Sequence, residues 1–178
     1  LDIDISGARL KTERLLLRPF RKEDVNDLYE YASVPGVGEM AGWNHHDNIE
    51  ETRFVLDKFI DEKRVFAVVF NGKVIGSVGV ERYSDSSYPE LKGYGAEIGY
   101  AFSKDFWNMG FATESVKKVI DYLFVNYPLD FLLSGYFKGN ERSKRVQKKC
   151  GFKYAKTLFR SVAWGEEKET FMADSLSA

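Results

Sequence analysis

The succession of apolar and polar positions divides the chain into short strands and amphipathic helices. Residues 14–20 (Arg-Leu-Leu-Leu-Arg-Pro-Phe) read as a first strand. The acidic pair Glu23-Asp24 then opens a helix with Val25, Leu28, Tyr29 and Ala32 at helical spacing, and Pro35-Gly36 ends it. A second helix starts at the capping box Asn48-Ile49-Glu50-Glu51, where the Asn48 side chain can accept from the Glu51 N–H. It turns Thr52, Val55, Leu56 and Phe59 inward and fades near Asp61. Residues 65–70 are apolar on both faces, Asn71-Gly72 signals a two-residue hairpin, and residues 74–80 return as the partner strand. In residues 96–102 the large Ile98, Tyr100 and Phe102 alternate with Glu97, Gly99 and Ala101, so one face packs while the other leaves room beside a carboxylate. Residues 112–125 carry Ala112, Val116, Val119, Ile120, Leu123 and Phe124 on one helical face. A strand at 131–137, a helix over about 140–150 and strands near 152–158 and 169–172 complete the chain.

The predicted order is β-α-α-β-β-β-α-β-α-β-β, an α/β (α+β) architecture with a mixed, mostly antiparallel sheet. The β-α-β unit around residues 112–125 places its two strands parallel through a right-handed crossover. A chain of 178 residues, 44% hydrophobic and 30% charged, suits one well-buried domain spanning 1–178. The run Ser84-Asp-Ser-Ser-Tyr-Pro89 is a long-loop signal inside that domain. With 26 basic and 27 acidic side chains the formal charge is -1, so no global field draws nucleic acid or a membrane surface, and an anionic ligand must be held locally. One cysteine, Cys150, forbids an intrachain disulfide; no apolar stretch approaches a bilayer span and the N-terminus lacks a basic-then-apolar leader. The expectation is a soluble, cytoplasmic protein without membrane contact.

The segment 96–114 carries the chemistry, because a strand there runs through a glycine-containing loop straight into a helix start. The first turn of a helix has N–H groups with no intrahelical partner and a positive dipole end, which suits a pyrophosphate, and Gly110 lets the main chain approach closely. The alternative is an ordinary strand-to-helix turn. His45 and His46 lack a Cys or carboxylate cluster at ligand spacing, so no metal is expected. Cys150 reads as a small core residue, without a nearby histidine in sequence to make it a nucleophile.

Together with this element order, three stretches are similar to the GNAT N-acetyltransferase superfamily: Glu97-Ile-Gly-Tyr100, Trp107-Asn-Met-Gly-Phe-Ala-Thr-Glu114, and Asn140-Glu-Arg-Ser143 leading to Lys149-Cys-Gly-Phe152. The opening Thr12-Glu-Arg-Leu-Leu-Leu-Arg-Pro19 resembles the RimJ/RimL branch, named for ribosomal-protein N-terminal acetyltransferases, and the resemblance spans about residues 11–175. It implies a GNAT-type sheet of about seven strands with helices on both faces. It implies, too, that acetyl-coenzyme A serves as acetyl donor and a primary amine, on a protein N-terminus or a small molecule, as acceptor in a ternary complex. A non-catalytic acyl-coenzyme A sensing domain is the alternative, and dimers occur in this branch, to which residues 164–172 could lend an edge strand.

By the same resemblance, the backbones of Tyr100, Ala101 and Phe102 border the pantetheine arm, and Trp107, Asn108, Met109, Gly110, Phe111, Ala112 and Thr113 wrap the pyrophosphate, with Lys104 adding charge. The family usually has Gly where this chain has Asn108. Asn140 either contacts the donor or simply caps the last helix. Ser143, with Val146 and Cys150 on the inward helical face, is the candidate proton donor to the departing thiolate; a bond to its own helix carbonyl is the alternative, and Tyr136 is a second candidate acid. Glu97 is the candidate general base, or else orients the substrate, with Glu81 on the adjacent strand as competitor. Trp43, His45, His46 and Glu81 are expected to shape the acceptor pocket, or the histidines are exposed loop residues.

Overall fold

The structure is a computed structural model that describes residues 2–83, 88, 90–163 and 169–178. Its strands are β1 (Leu10–Lys11), β2 (Leu16–Pro19), β3 (Val65–Phe70), β4 (Lys73–Arg82), β5 (Gly95–Phe102), β6 (Phe131–Phe137), β7 (Lys153–Arg160) and β8 (Glu169–Ser177). They form one sheet in the order β1-β2-β3-β4-β5-β6-β8-β7. The helices are α1 (Val25–Ala32), α2 (Ile49–Glu62), α3 (Phe111–Asn126) and α4 (Glu141–Lys149). The α/β class, the sheet and the element order follow the expectation, with one strand more. The two-residue β1 is too short to carry an alternation.

Side-chain bonds move two of the predicted boundaries. The first main strand starts at Leu16 because Thr12 and Leu15 close a turn, with Leu15 N–H donating to Thr12 Oγ1 at 2.9 Å. The first helix starts at Val25, after a 3-10 turn at Lys22–Asp24. There Asp24 does more than open a helix: its carboxylate accepts from Arg18 at 2.7 and 2.8 Å and from the Arg21 N–H, joining β2 to α1. The predicted cap of α2 is present, the Glu51 N–H donating to Asn48 Oδ1 at 2.9 Å.

Each face of the sheet is covered. Val116, Val119 and Leu123 of α3 pack on Val78, Val80, Ile98 and Leu132, whereas Leu28, Tyr31 and Leu56 of α1 and α2 cover Val65, Ala67 and Val74 on the opposite side. All neighbouring strands run antiparallel except β5 and β6, which are parallel, as the crossover of α3 requires. This pair is registered only from Gly95↔Phe131 to Ile98↔Ser134. Ser134 Oγ donates to the Ile98 carbonyl at 2.9 Å at the last rung. Past it the strands diverge, and the Gly135 carbonyl is taken by Gln147 of α4 at 2.7 Å. A wedge-shaped gap therefore opens in the middle of the sheet.

The long-loop signal at 84–89 lies, apart from Tyr88, outside the described residues, as do residues 164–168 of the segment considered for a dimer edge. The following residues, 169–172, sit inside the sheet between β6 and β7, so the outer edge on that side is β7.

A candidate active site in the sheet gap

The gap continues into a cavity of about 410 Å³. Its strand wall follows from the β4–β5 ladder. Tyr83 N–H donates to the Gly95 carbonyl and Ser103 N–H to the Ile75 carbonyl, so the odd-numbered residues between them direct their main-chain groups at β4. The main-chain groups of Tyr100 and Phe102 consequently face β6, which has already turned away. The Phe102 carbonyl accepts from Trp107 Nε1 at 2.8 Å, and the other edge groups are presented to the cavity.

At the end of β5 the chain enters the loop that leads to α3. Asn108 (φ 62°) and Gly110 (φ 83°) both occupy the left-handed region, with Met109 between them. Such a reversal turns successive N–H groups toward one concave side. Gly110 is the N-cap of α3 and offers no side chain to cap its first turn. The loop is anchored from behind by the N-terminal segment. Arg14 donates to the Met109 carbonyl at 3.0 Å and to Glu114 at 2.8 Å, and Thr12 donates to Glu114 at 2.6 Å. These bonds hold the Glu114 carboxyl below the usual carboxylate range against the opposing effect of burial. The segment 12–14, singled out in the sequence only as a familiar opening, is thus a brace for the loop.

Every residue expected at the donor site lines the cavity except Lys104 and Met109; the Met109 side chain is exposed and its carbonyl turns to Arg14. Lys104 is also drawn elsewhere, donating to the Pro35 carbonyl. Positive charge comes instead from Arg142, Arg145 and Lys149, which line the cavity at i, i+3 and i+7 on α4. Arg142 further lies over the Trp107 ring at 3.8 Å. That helical spacing was available in the sequence.

Asn140 caps α4, accepting from the Ser143 N–H at 3.2 Å, and donates to the Met40 carbonyl at 3.3 Å. Ser143 bonds forward across the gap: its Oγ lies 2.7 Å from the Tyr100 hydroxyl and 3.3 Å from Gln147 Nε2. Burial pushes the Tyr100 phenol up to about 12, against the pull of its bond to Ser143 and of the nearby Gln147 amide. Tyr136 lines the same cavity, its phenol likewise raised by burial. Burial pushes the neighbouring Cys150 thiol up to about 11, which keeps it protonated and a weak nucleophile at neutral pH.

Glu97 lines the cavity on the side opposite Ser143's helix, and Arg160, at the end of β7, grips it with two bonds of 2.7 and 3.0 Å. Nothing in the spacing of the sequence joins positions 97 and 160. Trp43, His45, His46 and Glu81 are not among the described residues that line the cavity. His46 is buried, bonded to Thr52 at 2.8 Å and packed on Trp43, and burial lowers its pKa. Glu81 lies across from Glu97 in the β4–β5 register and 3.5 Å from Arg64. His45 pairs with Glu39 at 2.6 Å. The loop that carries Trp43, His45 and His46 reaches the cavity through Met40, Ala41 and Gly42 instead. Among the described residues no cluster of His, Cys, Asp or Glu could hold a metal ion, and no helix is long and apolar enough to cross a membrane.

Comparison with known proteins agrees with the fold. An uncharacterized N-acetyltransferase of Bacillus subtilis, YoaA, is 29% identical over 150 residues, covering 80% of this chain and 81% of the relative. An acetyltransferase (GNAT family) structure from Bacillus anthracis superposes with a TM-score of 0.83 at 23% identity, over 96% of this chain and 98% of the other. The microcin C7 self-immunity acetyltransferase MccE, solved with acetyl-CoA and AMP, gives a TM-score of 0.77 at 15% identity, over 94% of each chain. The model of the acetyltransferase (GNAT) domain matches residues 14–153, from the brace at Arg14 to the start of β7, and the chain belongs to that acetyltransferase family.

Proposed function

We propose that the protein is an N-acetyltransferase that takes acetyl from acetyl-coenzyme A and gives it to a primary amine, with 1–178 acting as one domain. A single observation carries this reading: Ser143 and Glu97, a hydroxyl and a carboxylate from different elements, line one cavity from its two sides, with the left-handed Asn108–Gly110 loop at its end.

The residues suit the donor. The outward main-chain edge of Tyr100 and Phe102 matches an amide-bearing arm, the loop N–H groups match a pyrophosphate, and Arg142, Arg145 and Lys149 supply the countercharge that the whole chain lacks. Acetyl-coenzyme A would supply the activated acetyl thioester. Ser143 Oγ holds the proton offered to the leaving group. On the other side, Arg160 fixes the plane of the Glu97 carboxylate and occupies one direction at each oxygen, leaving the outer lone pairs for an N–H of the entering amine. Met40, Ala41 and Gly42 wall the acceptor end. The protonated state of Cys150 favours direct attack by the amine over a covalent acetyl-cysteine. The acceptor is a small amine or a protein N-terminus, and the resemblance of residues 12–19 supports the RimJ/RimL-like branch.

The test is to incubate purified protein with acetyl-coenzyme A and a panel of amines and N-terminal peptides, following thiol release. Acceptor-dependent release is expected, falling about ten-fold or more in Ser143→Ala with donor affinity unchanged. Donor binding without acceptor-dependent release across the panel would replace the enzyme with a sensing domain.

A further inference from the structure

Gln147 is the most deeply buried polar side chain of α4, fully inaccessible, and its Oε1 has no partner among the described residues. Leaving a buried amide oxygen unpaired is costly, so its orientation needs a cause. The cause lies at the other end of the amide. The Gly135 carbonyl, stranded where β6 leaves β5, can only accept, and at 2.7 Å it requires Nε2 to face it. The second Nε2 proton then reaches Ser143 Oγ at 3.3 Å. One of the two acceptor positions of that hydroxyl is thereby filled by a group that cannot reverse its polarity.

Tyr100 addresses the other position. Its hydroxyl lies 2.7 Å from Ser143 Oγ and 3.2 Å from the Ser143 carbonyl. The phenol has one proton and two acceptors within reach, the Ser143 carbonyl and Oγ; Oγ is the nearer, and a phenol is a stronger acid than an aliphatic alcohol, so the short bond is assigned from Tyr100 to Ser143. A hydroxyl accepts two bonds and donates one. With both acceptor positions taken by Gln147 and Tyr100 in this assignment, the proton of Ser143 is left for a third direction, and Ser143 lines the cavity.

We propose that Tyr100 and Gln147 are positioning residues that fix the direction of the Ser143 hydroxyl, converting a freely rotating serine into a donor aimed at the leaving sulfur. Neither passes on a proton. Tyr100 Oη–H and Gln147 Nε2–H stay covalently intact while Ser143 Oγ–H supplies the hydrogen bond to the thiolate. This rests on the proposed donor site, and its test needs no acceptor.

Coenzyme A is titrated on the protein and the ionisation of its thiol followed by thiolate ultraviolet absorbance, with calorimetry reporting binding separately. On the wild type the thiol is expected to ionise at lower pH than in free coenzyme A titrated alongside, and Ser143→Ala should return it toward the free value. Tyr100→Phe, which keeps the ring, should weaken thiol ionisation about three- to ten-fold, in the range of one lost hydrogen bond, and Gln147→Met should act in the same direction. In a Ser143→Ala background neither change should have any further effect. If Tyr100→Phe leaves ionisation unchanged or strengthens it, Ser143 donates to Tyr100 and the proposal is wrong. Equal effects with and without Ser143 would also overturn it, since Tyr100 would then act on its own. Failure of coenzyme A to bind would remove the donor site, and this proposal with it.

Discussion

Asn108 stands at φ 62° in the loop between β5 and α3, a setting where a β-carbon normally clashes with the backbone. Asparagine is among the few residues other than glycine that visit it routinely, so the departure from the family's usual glycine preserves the backbone path. Asn108→Gly is therefore expected to bind acetyl-coenzyme A within about twofold of the wild type. Asn108→Val should lose about ten-fold, corresponding to the 1–2 kcal/mol cost of that conformation for a β-branched side chain. Calorimetric titration decides: equal affinities in all three proteins would show that the loop does not hold the donor in this conformation. At this scale the sequence was informative where one residue's own chemistry sets the outcome, as at Asn108, Gly110 and Asn140. It was silent where the decisive partner is remote. Arg160 on Glu97 and Gln147 on Gly135 are contacts made by strand order and by the divergence of β5 and β6, and neither leaves a trace in local spacing.

The connection between α1 and α2 shows how an element governs a site without placing its most conspicuous residues there. His45 faces Glu39, whose carboxylate also accepts from the Gly36 N–H at 2.6 Å and the His45 N–H at 3.4 Å, closing a compact loop. Met40, Ala41 and Gly42 project from this loop to the cavity, held there by Asn140 on the Met40 carbonyl and Ala163 on the Gly42 carbonyl. Hydrogen bonding to Glu39 raises the His45 pKa, and the Asp47 and Glu51 charges add to it. Although burial opposes it, Glu39 is lowered to about 2 by its bonds from His45 and the backbone. A raised histidine contributes stability in full below its unfolded value of about 6.5, and loses it as pH rises through the folded value. A depressed carboxylate contributes above its unfolded value and loses it on acidification toward about 2. The clamp is thus complete near pH 5.5 and weakened by pH 8.5. His45→Gln should lower the thermal midpoint more at the lower of these pH values, and a midpoint difference independent of pH would exclude the ion pair. Helical periodicity identified α1 and α2, but an irregular loop has no period, so the histidines stood out while the three small and apolar residues at the cavity did not.

Across the whole molecule, the sheet's antiparallel flanks meet at the short parallel register between β5 and β6, and the proposed donor site draws on both sides of it. Hydrophobic alternation and the Asn71-Gly72 turn made this architecture legible, because the two faces of the central β3 and β4 are buried by different helices. The gap itself was less so: it is an interruption of pairing, visible only once Ser134 and Gln147 are seen to end the ladder. Its position has a thermodynamic consequence. A ligand lodged between β5, β6, α3 and α4 contacts both flanks and cannot remain bound if either unfolds, so binding should protect the domain as one cooperative unit. At about 100 times the dissociation constant, binding adds about 2.7 kcal/mol to folding. For a chain of this size that shifts the midpoint by roughly 5–10 °C. Calorimetric scans with and without acetyl-coenzyme A should show one transition that moves intact by this amount. A melt that splits, with one component moving and the other fixed, would mean that the two flanks fold separately and that 1–178 is not a single unit.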